Sequence, residues 1–462
     1  MKRTTRFASL LALALGCSPS PSRIDAPTPA TTTESPTSTT APTPNATRAD
    51  VEVAEALNLV ERVRQLPSKA RVPGVRMNRA QLRAEVERTL HDEAPADLIA
   101  GNTELLYALD LVTESFDLQQ ALAQLYGAQL AGFYDPDAKR MVLASDLSEQ
   151  EQAITLYHEL VHALQDQHYD LADALDWKPE LSDVQSALQA LAEGDATLAM
   201  LDVARAAAGQ PPADFPLGLL QIDSLLMQAK PDLTDVPGFL VRALMSPYAD
   251  GLAFVSEIRR RGGSWAAVDA AWRERPVSTE QILHPEKYLA REAVVPLPPV
   301  ATPPGFSGAV FRDVMGELGL RLLFEEWAPS QAAARAATGW GGDRLVVVSD
   351  GERRVVLWHL VMDDEAAAQR ALTLFGRGAL RPELTVSVAG ARSRIESARA
   401  ERAVASNRHC SQRPRRGPFA IVRHGRHLGV TLGPYRRGKP ADTSADTCPL
   451  ALGWADILAR AQ

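Results

Sequence analysis

Cysteine is scarce: the 462 residues contain three. Once Cys17 is set aside, only Cys410 and Cys448 remain, so at most one disulfide with one connectivity is available. Long apolar runs are missing as well. The longest near the N-terminus covers 7–15, too short to span a bilayer, and no transmembrane helix is expected. Positive charge is not in excess, with 49 Lys and Arg against 57 Asp and Glu and a net charge of −8. No basic stripe stands out, which argues against nucleic acid as a partner. No Gly-x-Ser-x-Gly elbow is present. The glycine-rich 339–344 segment lacks the Lys-Ser/Thr ending of a phosphate loop and reads as a tight turn. Arg413-Pro414-Arg415-Arg416 is a small basic cluster that reads as a solvated loop.

What is there describes a folded body of two or three domains, with 45% hydrophobic and 23% charged residues. Ahead of it, Lys2, Arg3 and Arg6 precede the apolar run 7–15, as in an export signal. The run ends in Ala14-Leu15-Gly16-Cys17, which resembles a bacterial lipobox with Cys17 as the lipidated residue. An ordinary secretory signal with an incidental cysteine is the alternative. Ser18 resembles the residue that follows the cysteine in outer-membrane lipoproteins. Residues 18–50 are rich in Pro, Thr and Ser and read as a disordered spacer reaching at most roughly 90 Å.

From 51 to 126 the apolar spacing is helical: one helix ended by Pro67, a second capped by Asn78, and a third over about 95–125. Residues 51–95 are a candidate masking segment, although nothing in the sequence demands that role. Residues 132–134 and 141–143 flank Asp135-Pro136-Asp137 and read as a hairpin, with the 141–144 strand a candidate edge for pairing with an extended substrate. Ser148 and Glu151 form a capping box that opens an amphipathic helix. A long helix follows over about 184–208, then helical signals to 271 broken by prolines that include Pro247. The prolines of 296–304 read as a linker between domains. Beyond it, Asp350-Gly351 predicts a type I′ hairpin, Asp363-Asp364 a helix start, and 419–432 a second hairpin.

The chemistry lies on the helix opened by Ser148. His158-Glu159-Leu160-Val161-His162 places two imidazoles four residues apart, so both face one ion. Glu159 stands where it can take the proton of a metal-bound water whose pKa zinc brings to about 7. A catalytic zinc needs a third protein ligand, and His168, six residues after His162, lies off the face that the first two share on a continuous helix. The next long helix offers Glu193-Gly194-Asp195-Ala196. Glu193 and Asp195 point to different sides of a helix, so only one can reach the ion. Glu193 is the ligand we expect, with Asp195 behind it, and two solvated helix charges are the alternative. Asp166, four residues after His162, is a candidate partner for an imidazole, whereas His168 reads as structural.

These residues resemble the gluzincin class of zinc metallopeptidases. The string from His158 to Gln167, the Glu-Gly-Asp-Ala motif and Ser278–Tyr288 also resemble a group of bacterial exported zinc-peptidase-like proteins, over about 130–288. The resemblance implies a Tyr or His opposite the zinc to stabilise an oxyanion. His284, held before Pro285, is the expected residue, with Tyr288 and Tyr248 as rivals.

The expected fold is therefore α+β. A signal peptide (1–17) and a spacer (18–50) precede a mostly helical zincin-like domain with a small edge sheet (51–298) and a smaller α+β domain (299–462). The expected function is a Zn2+-dependent metallopeptidase, exported and lipid-anchored at Cys17 to the bacterial, outer, membrane, with a peptide or protein substrate. A peptidase-like envelope lipoprotein with a structural or binding role is the alternative. No motif speaks to oligomeric state.

Overall fold

Thr47 and Asp50 start the first helix. The Thr47 side chain accepts the Asp50 N–H while the Asp50 carboxylate accepts the Thr47 N–H, a complete capping box. Helix α1 (Arg48–Arg64) thus begins inside the spacer expected to run to residue 50, because a local cap overrides the Pro/Thr-rich composition. The computed structural model describes residues 47–93, 95–129, 131–212, 236–386, 392–394, 407–441 and 446–461. The expected signal peptide, Cys17 and spacer residues 18–46 lie outside them.

Strand β1 (Gly74–Met77) was not expected. It is followed by helix α2 (Arg79–Glu93), where Asn78 and Gln81 exchange side-chain-to-backbone bonds at 2.9 Å. The single helix expected over 95–125 is two, α3 (Ala96–Ala108) and α4 (Leu118–Gln129). The break holds Asp110 in a left-handed conformation, its carboxylate accepting the Leu384 N–H and pairing with Arg416.

Strands β2 (Gly132–Asp135) and β3 (Arg140–Ala144) form the expected hairpin. Their sheet has the order β1-β3-β2, with β1 parallel to β3 from Gly74↔Met141. The 141–144 strand is therefore central, with both edges paired, and cannot add a substrate strand. Outer strand β2 turns the Tyr134 N–H away from β3, toward the next helix.

That helix is α5 (Glu149–Tyr169), opened by the Ser148–Glu151 capping box as expected. There follow α6 (Leu171–Ala174), α7 (Ser182–Ala207), α8 (Gly238–Gly262), α9 (Trp265–Arg273), α10 (Thr279–Leu283) and α11 (Pro285–Leu289). Pro247 sits inside α8 rather than ending it. It forfeits one backbone bond, and burial of Leu244, Tyr248, Leu252 and Val255 on the same helix outweighs that loss. Helices α7 and α8 cross at Gly194 and Gly251, where a Cβ on either glycine would overlap the other helix's backbone.

The rest of the chain builds on β4 (Gly308–Asp313), α12 (Gly316–Glu325), α13 (Ser330–Ala337), β5 (Trp340–Ser349), β6 (Arg354–Met362), α14 (Glu365–Leu380), β7 (Leu384–Val386), β8 (Arg392–Arg394), β9 (Arg408–Arg413), β10 (Gly417–His424), β11 (His427–Tyr435) and α15 (Cys448–Arg460). Six antiparallel strands run in the order β4-β5-β6-β11-β10-β9, and β7 pairs with β8. Cys410 and Cys448 form a disulfide that ties α15 to β9. The chain is α+β.

Three sequence expectations change here. The glycine-rich 340–344 segment is the start of β5, not a turn, and its Asp343 is a buried hub. It accepts the Met315 and Gly316 N–H groups and both indole N–H groups of Trp340 and Trp358. At the β5–β6 turn only Gly351 of the central pair has positive φ, whereas type I′ needs two; Asp350 instead accepts the Glu352 and Arg353 N–H groups. Arg413 and Arg416 are buried, not solvated. Arg413 donates to the Ala108 carbonyl, and Arg416 to those of Tyr107 and Val112, pinning the turn that follows α3.

That contact joins the two halves. Leu105, Tyr107 and Val112 share one core with Phe311, Trp340, Trp358, Phe375 and Phe419, so the core crosses the boundary expected at 298/299. A second core packs α1, α5, α7 and α8 around Leu160, Leu164, Leu191 and Phe254.

Candidate metal centre

On α5 the four-residue spacing does what helical geometry requires. His158 Nε2 and His162 Nε2 lie 3.1 Å apart. From α7, Glu193 Oε2 stands 3.1 Å from His158 Nε2 and 3.5 Å from His162 Nε2. Three zinc ligands at roughly 2.0–2.1 Å in a tetrahedron are about 3.3–3.4 Å from one another. The triangle of 3.1, 3.1 and 3.5 Å therefore fits one face of such a tetrahedron. These three side chains form a group able to hold a metal ion. All three are buried, and Glu193 Oε1 and His158 Nδ1 have no hydrogen-bond partner.

A ring of buried groups surrounds the triangle. His162 Nδ1 bonds to Gln165 Oε1 at 2.8 Å. The Gln165 amide donates to the Ala192 carbonyl and to Asp195 Oδ2. Asp195 also takes a two-point contact from Arg64 and the Trp272 indole N–H. Asp195 thus stands behind His162, joined to it through Gln165, and not among the ligand atoms.

Glu159 is fully buried beside the triangle. Its Oε2 accepts the Tyr134 N–H at 3.0 Å, and its Oε1 has no partner. Burial pushes its carboxyl up to about 8. Burial alone would lower His162, but the Glu193 charge and hydrogen bond lift it to about 8. Burial lowers His158, and the Glu193 bond only partly offsets this. Glu193 is held below the usual range, since the two imidazoles outweigh the effect of its own burial.

The other candidates are scattered. His284 does not reach the triangle. It lies between α10 and α11 and bonds to Glu317 of α12 at 2.9 Å, because the chain turns there toward the sheet half. Tyr288 donates to the Glu274 carbonyl and packs edge-on against Phe254. Tyr248 is the rival that arrives: its ring stacks on His158 with centroids 6.0 Å apart. The Gly194–Gly251 crossing puts it there, three residues before Gly251. Asp166 binds Tyr134 Oη and Lys139 Nζ instead of an imidazole. His168 bonds to the Pro67 carbonyl, in keeping with a structural role.

Sequence reasoning missed Gln165, Arg64 and Tyr126. Tyr126, from α4, is buried near enough to Glu193 that burial and that charge raise its hydroxyl. Only Gln165 carries a local signal, its three-residue step from His162.

A second group, Glu280, Glu292 and Asp363, also has metal-like spacing. Lys287 Nζ sits among them at 2.6, 2.8 and 2.7 Å, so the lysine takes the cation's place. A groove of about 660 Å³ lined by Ile258, Val277, Tyr288, Leu289 and Arg291 includes none of the three ligands.

Residues 304–438 match the family model of a domain of unknown function, DUF8575. The match covers the sheet half and leaves the metal centre outside it. No curated protein and no solved structure matches the chain.

Proposed function

We propose that the chain is a zinc-dependent metallopeptidase of the gluzincin kind. The observation that carries this reading is the His158–His162–Glu193 triangle, whose edges suit tetrahedral zinc, with an orphaned Glu159 oxygen beside it. Zinc bound there would supply a water activated near neutral pH and polarise the scissile carbonyl. Glu159 is the general base: beside a zinc ion its carboxyl would fall back from about 8 into the ionised form, its Tyr134 bond fixes the group, and Oε1 is left to take the proton. Tyr248, stacked on His158, takes the oxyanion role that the sequence had assigned to His284.

The same reading makes the protein an exported lipoprotein, anchored through Cys17 to the outer membrane and acting on peptides or proteins of the envelope. Among the described residues no helix is long and apolar enough to cross a membrane.

One observation favours a second reading. His158, Glu159, His162 and Glu193 are all at most 1% exposed, so the centre is closed to a polypeptide in this conformation. A peptidase-like body whose metal serves structure or binding would look the same. Glu159→Gln separates the two. On the peptidase reading it retains zinc and loses cleavage of a mixed peptide substrate by at least about 100-fold. A wild-type chain that holds zinc and cleaves nothing favours the second reading. A wild type that cleaves equally well after chelation excludes the first.

A further inference from the structure

We propose that the N-terminal helix is part of the metal centre. Arg64, acting through Asp195 and Gln165, fixes His162 as the tautomer that carries its proton on Nδ1 and leaves Nε2 a bare lone pair. The purpose of that lone pair rests on the zinc reading above; the tautomer itself does not.

Hydrogen-bond chemistry at each step leaves one assignment. The Ala192 carbonyl can only accept. Asp195, gripped by Arg64 at 2.6 and 3.2 Å and by the Trp272 N–H at 2.9 Å, is a carboxylate and also only accepts. Gln165 faces both at 3.0 and 3.1 Å, so the atom it turns to them is its amide nitrogen. Its oxygen is then the atom 2.8 Å from His162 Nδ1. An amide oxygen accepts, so Nδ1 must donate. In the neutral ring Nε2 is then unprotonated, and it is the atom that faces Glu193 and His158.

Arg64 is suited to anchor this series. It is fully buried in the last turn of α1, its guanidinium also binds Asp269, and it lies 4.6 Å over the Trp265 ring. A helix that supplies this anchor completes the centre rather than masking it, which removes α1 from the masking role considered for 51–95. Arg64, Asp195 and Gln165 are positioning residues: none belongs to the ligand triangle.

The test uses the full chain, metal-free and above about pH 9 so that the His162 ring is neutral, with its nine histidines labelled with nitrogen-15. Imidazole nitrogen shifts report the tautomer, and His162→Ala assigns the signal. The wild type is expected to show the Nδ1–H form at His162. Gln165→Met, of similar volume, is expected to lose it and to bind zinc roughly 10–100-fold more weakly. Arg64→Met is expected to follow Gln165→Met; if it fails to fold, as shown by circular dichroism, Gln165→Met decides. An unchanged His162 tautomer in folded Gln165→Met overturns the proposal even if zinc binds. A wild type that shows the tautomer, loses it in Gln165→Met and yet takes up no zinc upholds the series and overturns only the metal reading.

Discussion

Gly194 and Gly251 touch backbone to backbone, and this contact brings Glu193 on one helix and Tyr248 on the next to the same imidazole, His158. No larger residue fits. A Cβ at position 251 would overlap the Ala190 carbonyl, and one at 194 would overlap Gly251 itself. The geometry of the candidate metal centre therefore depends on two side chains that are absent.

Gly251→Ala is expected to push α7 and α8 apart, lowering stability by about 1–3 kcal/mol and weakening metal binding together with it. Gly453→Ala, in the interior of α15 with open space around its Cα, is the control: it should leave zinc binding unchanged and stabilise slightly, by about 0.5–1 kcal/mol. Thermal unfolding and zinc titration of both variants check this. Equal zinc affinity in Gly251→Ala and wild type would show that the crossing does not set the ligand triangle.

Stability should fall with rising pH at the base of α7. Asp183 is buried there, its carboxylate accepting the Thr279 N–H and hydroxyl. Burial, opposed by those Thr279 bonds and aided by the charges of Asp343 and Glu280, raises its carboxyl to about 7. A carboxyl raised above its unfolded value holds its proton more tightly in the folded chain. Its contribution is thus full below about pH 4 and lost as pH climbs toward 7. Asp183→Asn mimics the protonated form. The variant should gain on the wild type across that window by up to roughly 4 kcal/mol, measured by denaturant unfolding at several pH values. A difference that does not change with pH contradicts this.

Removing the disulfide should spare the metal centre. Cys410 and Cys448 are separated by 38 residues and lie entirely in the sheet half. Cys448→Ser is expected to destabilise that half by about 3–4 kcal/mol in the chain-entropy model while zinc content stays the same. Loss of zinc in a chain that remains folded would mean the two halves are coupled more tightly than their shared core implies.

The part of the centre legible in sequence is the part that helical periodicity dictates. Ser148 and Glu151 announced the start of α5, the four-residue step aligned His158 with His162, and the two-residue step separated Glu193 from Asp195. What escaped depends on the packing of distant segments. Strand β1 gains its identity only by pairing with β3, and Arg64 meets Asp195 only when α1 lies across α7. His284 was misplaced for a similar reason: Pro285 correctly predicted a helix end, but only the fold reveals that Glu317 waits there. The two buried arginines at 413 and 416 looked solvated because the carbonyls they satisfy belong to α3.

The most direct test of the account is the metal content of the purified full chain, measured by mass spectrometry after metal-replete preparation beside Glu193→Ala. The account predicts close to one zinc per wild-type chain and clear loss in the variant. No zinc in the wild type, or as much in the variant as in the wild type, would contradict it.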